Sequence, residues 1–394
     1  MESSPTPNNI HPKLDQEYLA KKRTNFEGFE FLRAIFSLAI VAYKTKVFYI
    51  PKELAFNDFT YVLSDYILSG MVGALAVPVF LQISLFLFNG KSEKTGLSYF
   101  IQKRLPRLVS LYLFWVIAIT VFDILFVDGF DAVRQAGSSV KQLVLFIVSG
   151  NNTPYFFFFS LIFVTIIAEI LILLFSKLRQ TSTRIFISYC LLITSSILLF
   201  TSSIIEPMID YTGAQSSLLN LLNSLTQWDY TPLNFLPYIF TAAITAQEYN
   251  EGKLNKALKR KLYGLFALTL TFFMLEWILT SNRLLIQVDQ APLDHYMRLS
   301  LVFGSWLLLY LALLAKRSIP ASIRFLSDCS LGIYGFHVFF TFKNPIPFDS
   351  LPLLGNLFQS FPVLQSLTAF FVALAGSVVL TLLFKRSKLL KSFV

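Results

Sequence analysis

Apolar residues in this chain gather into runs that are longer and more uniform than the faces of soluble helices or strands. Ten of them are continuous enough to cross a bilayer or nearly so: roughly 29–48, 66–88, 105–127, 155–175, 185–205, 231–247, 262–280, 299–315, 329–345 and 363–384. A spanning helix takes about 20 predominantly apolar residues, and each run approaches that length. Short polar, often basic segments separate them. The pattern predicts an all-α integral membrane protein, a polytopic bundle of about ten transmembrane helices. One further run, "VKQLVLFIVSG" at 140–150, is too short to span, and counting it would invert every later loop. It is expected to lie in the interface, or to re-enter the membrane, on the outer side.

Composition agrees with the pattern: 55% of residues are hydrophobic and only 14% are charged, too few to solvate a globular surface. A net charge of +10 would ordinarily raise nucleic acid as a partner. Here the lysines and arginines sit at the ends of the apolar runs, which makes them a topology signal. No nucleic-acid partner is expected; the bilayer is the partner. With the N-terminus inside, twenty-four basic residues fall on the cytoplasmic side and eight on the other, and 206–230 has acids but no bases. Both termini are therefore expected in the cytoplasm. Residues 1–28 read as a disordered polar tail, 29–384 as the membrane-embedded domain and 385–394 as a short basic tail. No small-residue cleavage site follows the first run, so it reads as a retained signal anchor. No soluble domain fits. Cys190 and Cys329 have no metal spacing, and no metal is expected. The histidines are His11, His295 and His337.

Charges inside the runs narrow the chemistry. Arg33 and Lys44 lie eleven residues apart, which returns a helix to within about 20° of its starting direction and separates them by about 16 Å along the axis. Both occupy one face, Arg33 toward the cytoplasm and Lys44 toward the outside. Each either snorkels to its own interface or faces a polar bundle interior. Glu169 and Glu276 sit within runs, as structural partners of an arginine or as markers of a site. In "QKRLPRLVSLYLFW", Arg104 and Arg107 share a helical face, and Pro106 is tolerated in a first turn. A guanidinium pair so spaced suits bidentate phosphate recognition, and it also suits ordinary positive-inside flanking charge.

Six stretches, in order, resemble the acyltransferase 3 family of integral membrane O-acyltransferases: "FEFLRAIFSLAIVAYKT", "AVPVFLQISLFLFNGK", "QKRLPRLVSLYLFW", "NNTPYFFFFSLIF", "PLNFLPYIFTAAITAQ" and "SDCSLGIYGFHVFF". The resemblance covers most of 26–385. It implies an acyl-CoA donor, usually acetyl-CoA, bound from the cytoplasm. The acceptor it implies is a hydroxyl of an envelope sugar, polysaccharide or lipid-linked glycan, at the plasma or inner membrane. Arg33, Arg104, Arg107 and His337 match the family pattern, with Arg104 and Arg107 expected to hold the coenzyme. Lys44 stands where the family keeps histidine, and Ser84-Leu85 replaces its Ser-Gly. The catalytic candidates are thus Lys44, His337 and Arg33. Three answers are open for the base: a neutral Lys44, His337, or none in a non-catalytic member. A glycolipid or solute transporter is the remaining alternative, because interior charges also suit translocation.

Overall fold

The structure, a computed structural model, describes residues 26–48, 68, 71–127, 129–212, 231–252, 258–281, 296–341 and 361–394. The expected N-terminal tail up to residue 25, His11, His295 and most of the 206–230 segment lie outside the described residues. Every described element is helical. In chain order these are α1 (Glu27–Lys44), α2 (Ala76–Thr95), α3 (Leu105–Phe126), α4 (Asp131–Gly137), α5 (Val140–Ser149), α6 (Phe156–Ser176), α7 (Thr181–Thr212), α8 (Leu236–Asn250), α9 (Leu258–Ser281), α10 (Leu299–Leu314), α11 (Ala321–Thr341) and α12 (Pro362–Arg386). The described part of each of the ten apolar runs falls largely on one of these helices, and the short run at 140–150 falls on α5; residues 66–67, 69–70 and 342–345 of the expected runs lie outside the described residues.

Among the described residues, five helical segments are long and apolar enough to cross a membrane by length and composition: Met71–Thr95, Leu97–Phe126, Phe156–Ser176, Thr181–Ser203 and Val363–Arg386. Two of the remaining helices are short for a physical reason. α8 and α10, with 15 and 16 residues, are almost wholly enclosed by their neighbours: Pro237 through Ala246 and Leu299 through Trp306 are all buried. A helix sheathed in protein can carry polar residues that lipid would penalise. The outer helices behave oppositely. α3 exposes Leu113, Ile117, Val121 and Leu125 in one stripe, and α7 and α12 are largely exposed apolar surface.

Polar contacts order the helices. At one end, Arg324 near the start of α11 pairs with Glu27 (3.2 Å) and Glu30 (3.5 Å) at the start of α1. Arg184 near the start of α7 pairs with Glu93 near the end of α2 (3.3 Å), and Asn250 closing α8 donates to the same carboxylate (3.1 Å). Lys261 near the start of α9 holds Glu248 on α8 (2.7 Å) and the hydroxyls of Tyr189 and Tyr310, with the Tyr189, Trp306 and Tyr310 rings around its ammonium. Lys385 in the last turn of α12 donates to the Asp328 carbonyl in the first part of α11 (2.9 Å). These contacts gather the starts of α1, α7, α9 and α11 with the ends of α2, α8, α10 and α12. We call this the Glu27 end, and the opposite one the Lys44 end. Close packing accompanies the alternation. A Cβ on Gly28 would lie 2.1 Å from the Ala312 carbonyl oxygen, so α1 and α10 meet backbone to backbone there.

α5 covers the short run at 140–150. Ser139 caps it by accepting from the Gln142 amide (3.2 Å), and Gly150 ends it in the left-handed region at φ 60°. Its exposed Val140, Leu143, Val144 and Ile147 form a single apolar stripe at helical spacing, as an interfacial helix requires. Tyr112 donates to the Ile147 carbonyl, and Asn151 donates to Asp123 (2.8 Å), which fastens α5 to α3. α1 begins at Glu27 and α12 continues to Arg386. The last residues also fold back: Phe393 stacks on Phe114 of α3 with centroids 4.2 Å apart.

If all ten long helices cross, reporters fused after Val394 and within 251–257 should report one side of the membrane, and a reporter within 213–230 the other. Reporters after Val394 and within 213–230 on the same side would refute ten crossings.

Candidate active site

Near the Glu27 end, three guanidinium groups converge. Arg33 comes from α1. Arg104 comes from a π-helical turn, Phe100–Arg104, that leads directly into α3, and Arg107 from the first turn of α3 itself. A π turn widens the helix by a residue, and such turns recur at functional sites. Arg107 lies within electrostatic range of Arg33, and both lie within range of Arg104. Arg104 donates to Ser84 Oγ on α2 (2.5 Å), its guanidinium lies 5.8 Å from the Phe88 ring centroid, and its buried Nε has no partner among the described residues. Glu30 is the carboxylate that acts on Arg33, and Glu30 is shared with Arg324. Three cations around half a carboxylate repel one another. The cluster concentrates positive charge at one place in the bundle.

Toward the Lys44 end, α1 packs along α11 in its most extensive helix contact. The two helices run parallel, because Arg324 meets Glu27 and Glu30 at their common start. His337 therefore arrives beside Lys44, whose charge acts on the imidazole. The ring is fully enclosed. Its Nδ1 lies 2.6 Å from the Tyr334 carbonyl and 3.2 Å from that of Ile333. Carbonyls only accept, so Nδ1 carries the proton and the lone pair of the neutral ring sits on Nε2. Nε2 is buried with no hydrogen-bond partner among the described residues. Two tyrosines hold α11 in place around it: Tyr155 donates to the Gly335 carbonyl (2.7 Å), and Tyr334 donates to the Pro154 carbonyl (2.5 Å). Trp115 fills the remaining side, so close that a Cβ on Gly335 would lie 2.1 Å from its ring.

The arginine cluster and an imidazole nitrogen without a partner among the described residues thus lie on helices that begin at the same end. A family model described as "Acyltransferase domain" matches residues 26–386, nearly the whole chain. The chain belongs to the acyltransferase 3 family. No curated protein and no solved structure gives a match. Membership supports a membrane acyltransferase in general terms, and the apolar helices agree with it.

The structure separates the two buried glutamates. Glu276 lies beside Arg298, an ionic neighbour, and accepts from the Ser300 amide (3.0 Å) and hydroxyl (2.5 Å). It is a structural partner of an arginine. Glu169 instead accepts from Ser92 Oγ (2.5 Å), and no basic side chain among the described residues pairs with it. Sequence reasoning did not single out Ser84 as the Arg104 partner, Phe88 beneath it, or Glu30. Ser84 was legible only as half of an altered Ser-Gly pair, and Glu30 only as an acid one turn before Arg33.

Replacing one member of the Glu276–Arg298 neighbourhood should cost stability, because a buried charge loses compensation worth about 3–5 kcal/mol. Glu276→Gln should lower the melting temperature of the purified protein by several degrees. Pairing it with Arg298→Met should recover much of that loss. Equal melting temperatures for wild type and Glu276→Gln would show that the pair contributes nothing.

Proposed function

We propose that this protein is an O-acyltransferase that moves an acyl group, acetyl in the simplest case, from cytoplasmic acyl-CoA to a hydroxyl of an envelope sugar, polysaccharide or lipid-linked glycan. In this reading ten helices cross the plasma or inner membrane and both termini are cytoplasmic, so the Glu27 end faces the cytoplasm. One observation carries it: Arg33, Arg104 and Arg107 are held together with a single, shared carboxylate nearby. Such a cluster is stabilised by a multivalent anion, and the phosphates of coenzyme A are one.

Coenzyme A separates its phosphates from its thioester by a long flexible arm. With the phosphates on the arginines, the arm lies along α1 and α11 and carries the thioester toward His337 and Lys44. His337 Nε2 takes the proton of the acceptor hydroxyl as that oxygen attacks the thioester carbonyl carbon. The carbonyl oxygen gains negative charge, and the Lys44 ammonium beside the imidazole stabilises it. The intermediate collapses with cleavage of the C–S bond, and the proton held by His337 is returned to the departing thiolate. Ester and free thiol are the products. The unpartnered Nε2 of His337 and the nearness of a cation favour this division of labour over a neutral lysine acting as base.

Two experiments test the reading. Arg104→Gln with Arg107→Gln should raise the KM for acyl-CoA by at least about tenfold, while each single change gives an intermediate defect and the protein still inserts and folds. Unchanged acyl-CoA affinity in the double variant would reduce both residues to topology signals. For the chemistry, His337→Gln should abolish transfer of labelled acyl group to glycan. Lys44→Ala should lower kcat by about 10²- to 10³-fold, and Lys44→Arg should retain more activity than Lys44→Ala because it keeps the charge. Full activity in Lys44→His together with none in Lys44→Arg would instead make residue 44 the base.

A further inference from the structure

A cavity of about 130 Å³ opens between α2, α6, α7 and α8 near the Glu27 end. Asn89, Ser92, Glu93, Glu169, Arg184 and Gln247 lie in its wall, and none of the three clustered arginines does. Its two carboxylates differ. Glu93 is neutralised by Arg184 (3.3 Å) and bonded by Asn250 (3.1 Å). Glu169 is only 2% exposed and accepts one hydrogen bond, from Ser92, on Oε2. Its Oε1 is buried with no partner among the described residues, and so is Gln247 Oε1. Asn89 donates one amide hydrogen to the Leu85 carbonyl (2.8 Å), and its side-chain oxygen can accept.

An isolated carboxylate in a low-dielectric interior is costly and is relieved by a cation or by a proton. The groups around Glu169 choose between these. The buried atoms left without a partner in this wall, Glu169 Oε1 and Gln247 Oε1, are both acceptors, neither amide donates to the carboxylate, and the Ser92 hydrogen already points at it. Acceptors stabilise a cation and do nothing for a protonated acid beyond one hydrogen bond. The donor set is all oxygen with one uncompensated charge. That suits an alkali cation better than a transition metal, which would recruit nitrogen or sulfur ligands. A divalent ion would also recruit further carboxylates, and no group of three or more His, Cys, Asp or Glu able to hold a metal occurs among the described residues.

We infer that this cavity is a binding site for a monovalent alkali cation, with Glu169 supplying the charge and Asn89, Ser92 and Gln247 supplying neutral oxygens. A bound ion ties α2, α6 and α8 together where all three helices end. The site is independent of acyl transfer, so its test needs no acyl donor.

The full chain, purified in neutral detergent, is melted at fixed pH and ionic strength in potassium chloride, sodium chloride and choline chloride. Potassium or sodium should raise the melting temperature over choline, saturably and by about 2 °C or more. In Glu169→Gln the rise should vanish. Gln247→Leu, which keeps the carboxylate, should move the midpoint of the cation titration upward by at least threefold and also serves if Glu169→Gln does not fold. Equal melting temperatures in the three salts would overturn the inference. So would a cation response that neither variant changes. Stabilisation by acidification in choline, with no response to potassium or sodium, would make Glu169 a proton site instead and overturn it as well.

Discussion

Like charges held together in a poorly solvated place set the terms for the rest of this bundle. Arg33, Arg104 and Arg107 come from two helices, and their mutual repulsion would drive those helices apart if nothing else held them. What holds them lies in the surrounding frame. The Arg324 contacts tie α11 to α1, and Ser84 and Phe88 anchor Arg104 to α2. The cluster is positioned by bonds that do not neutralise it. A purely structural arginine would end up like Arg298, beside a carboxylate that is itself hydrogen-bonded.

The same division runs through the membrane-facing architecture. α8 and α10 are short, polar in places and sheathed by protein, while α7 and α12 offer lipid a nearly continuous apolar surface. Inner helices can therefore host the groups that lipid forbids, and they do. Thr241 bonds Gln82 (2.6 Å), Thr245 accepts from Trp306 (2.8 Å), and Glu248 closes on Lys261 and Tyr310. Each lies on α8, and the bonds lead to α2, α9 and α10, so this enclosed helix cross-links three neighbours.

Much of the fold could be read from the chain because apolar runs report helices directly. The described part of each of the ten runs is largely helical, and the 140–150 segment forms a helix of ten residues, too short to span. The same hydropathy overstates the central helices as independent spans, since α8 owes its place to enclosure and no local signal records what will surround a helix. At the site, the eleven-residue spacing correctly placed Arg33 and Lys44 at different depths of one helix. The R-x-x-R spacing placed Arg104 and Arg107 together. Their convergence with Arg33 was not legible, because it depends on the π turn and on which helices become neighbours. Nor could spacing tell that Glu276 would meet Arg298 while Glu169 would not.

The parallel packing of α1 against α11 has a consequence for how the chain is made. α1 is synthesised first, yet its principal partner begins at Ala321, after about four-fifths of the sequence. Contacts of such sequence separation are slow to form and are bypassed by whatever is nearer at the time. Until α11 is inserted, α1 must wait with Glu27, Glu30 and Lys44 lacking the helix that later covers them. Growing chains stopped before α11 should thus be the natural clients of quality-control machinery in the membrane. Arg33 and His337 sit on helices far apart in the sequence, so the candidate site is complete only once α11 is in place.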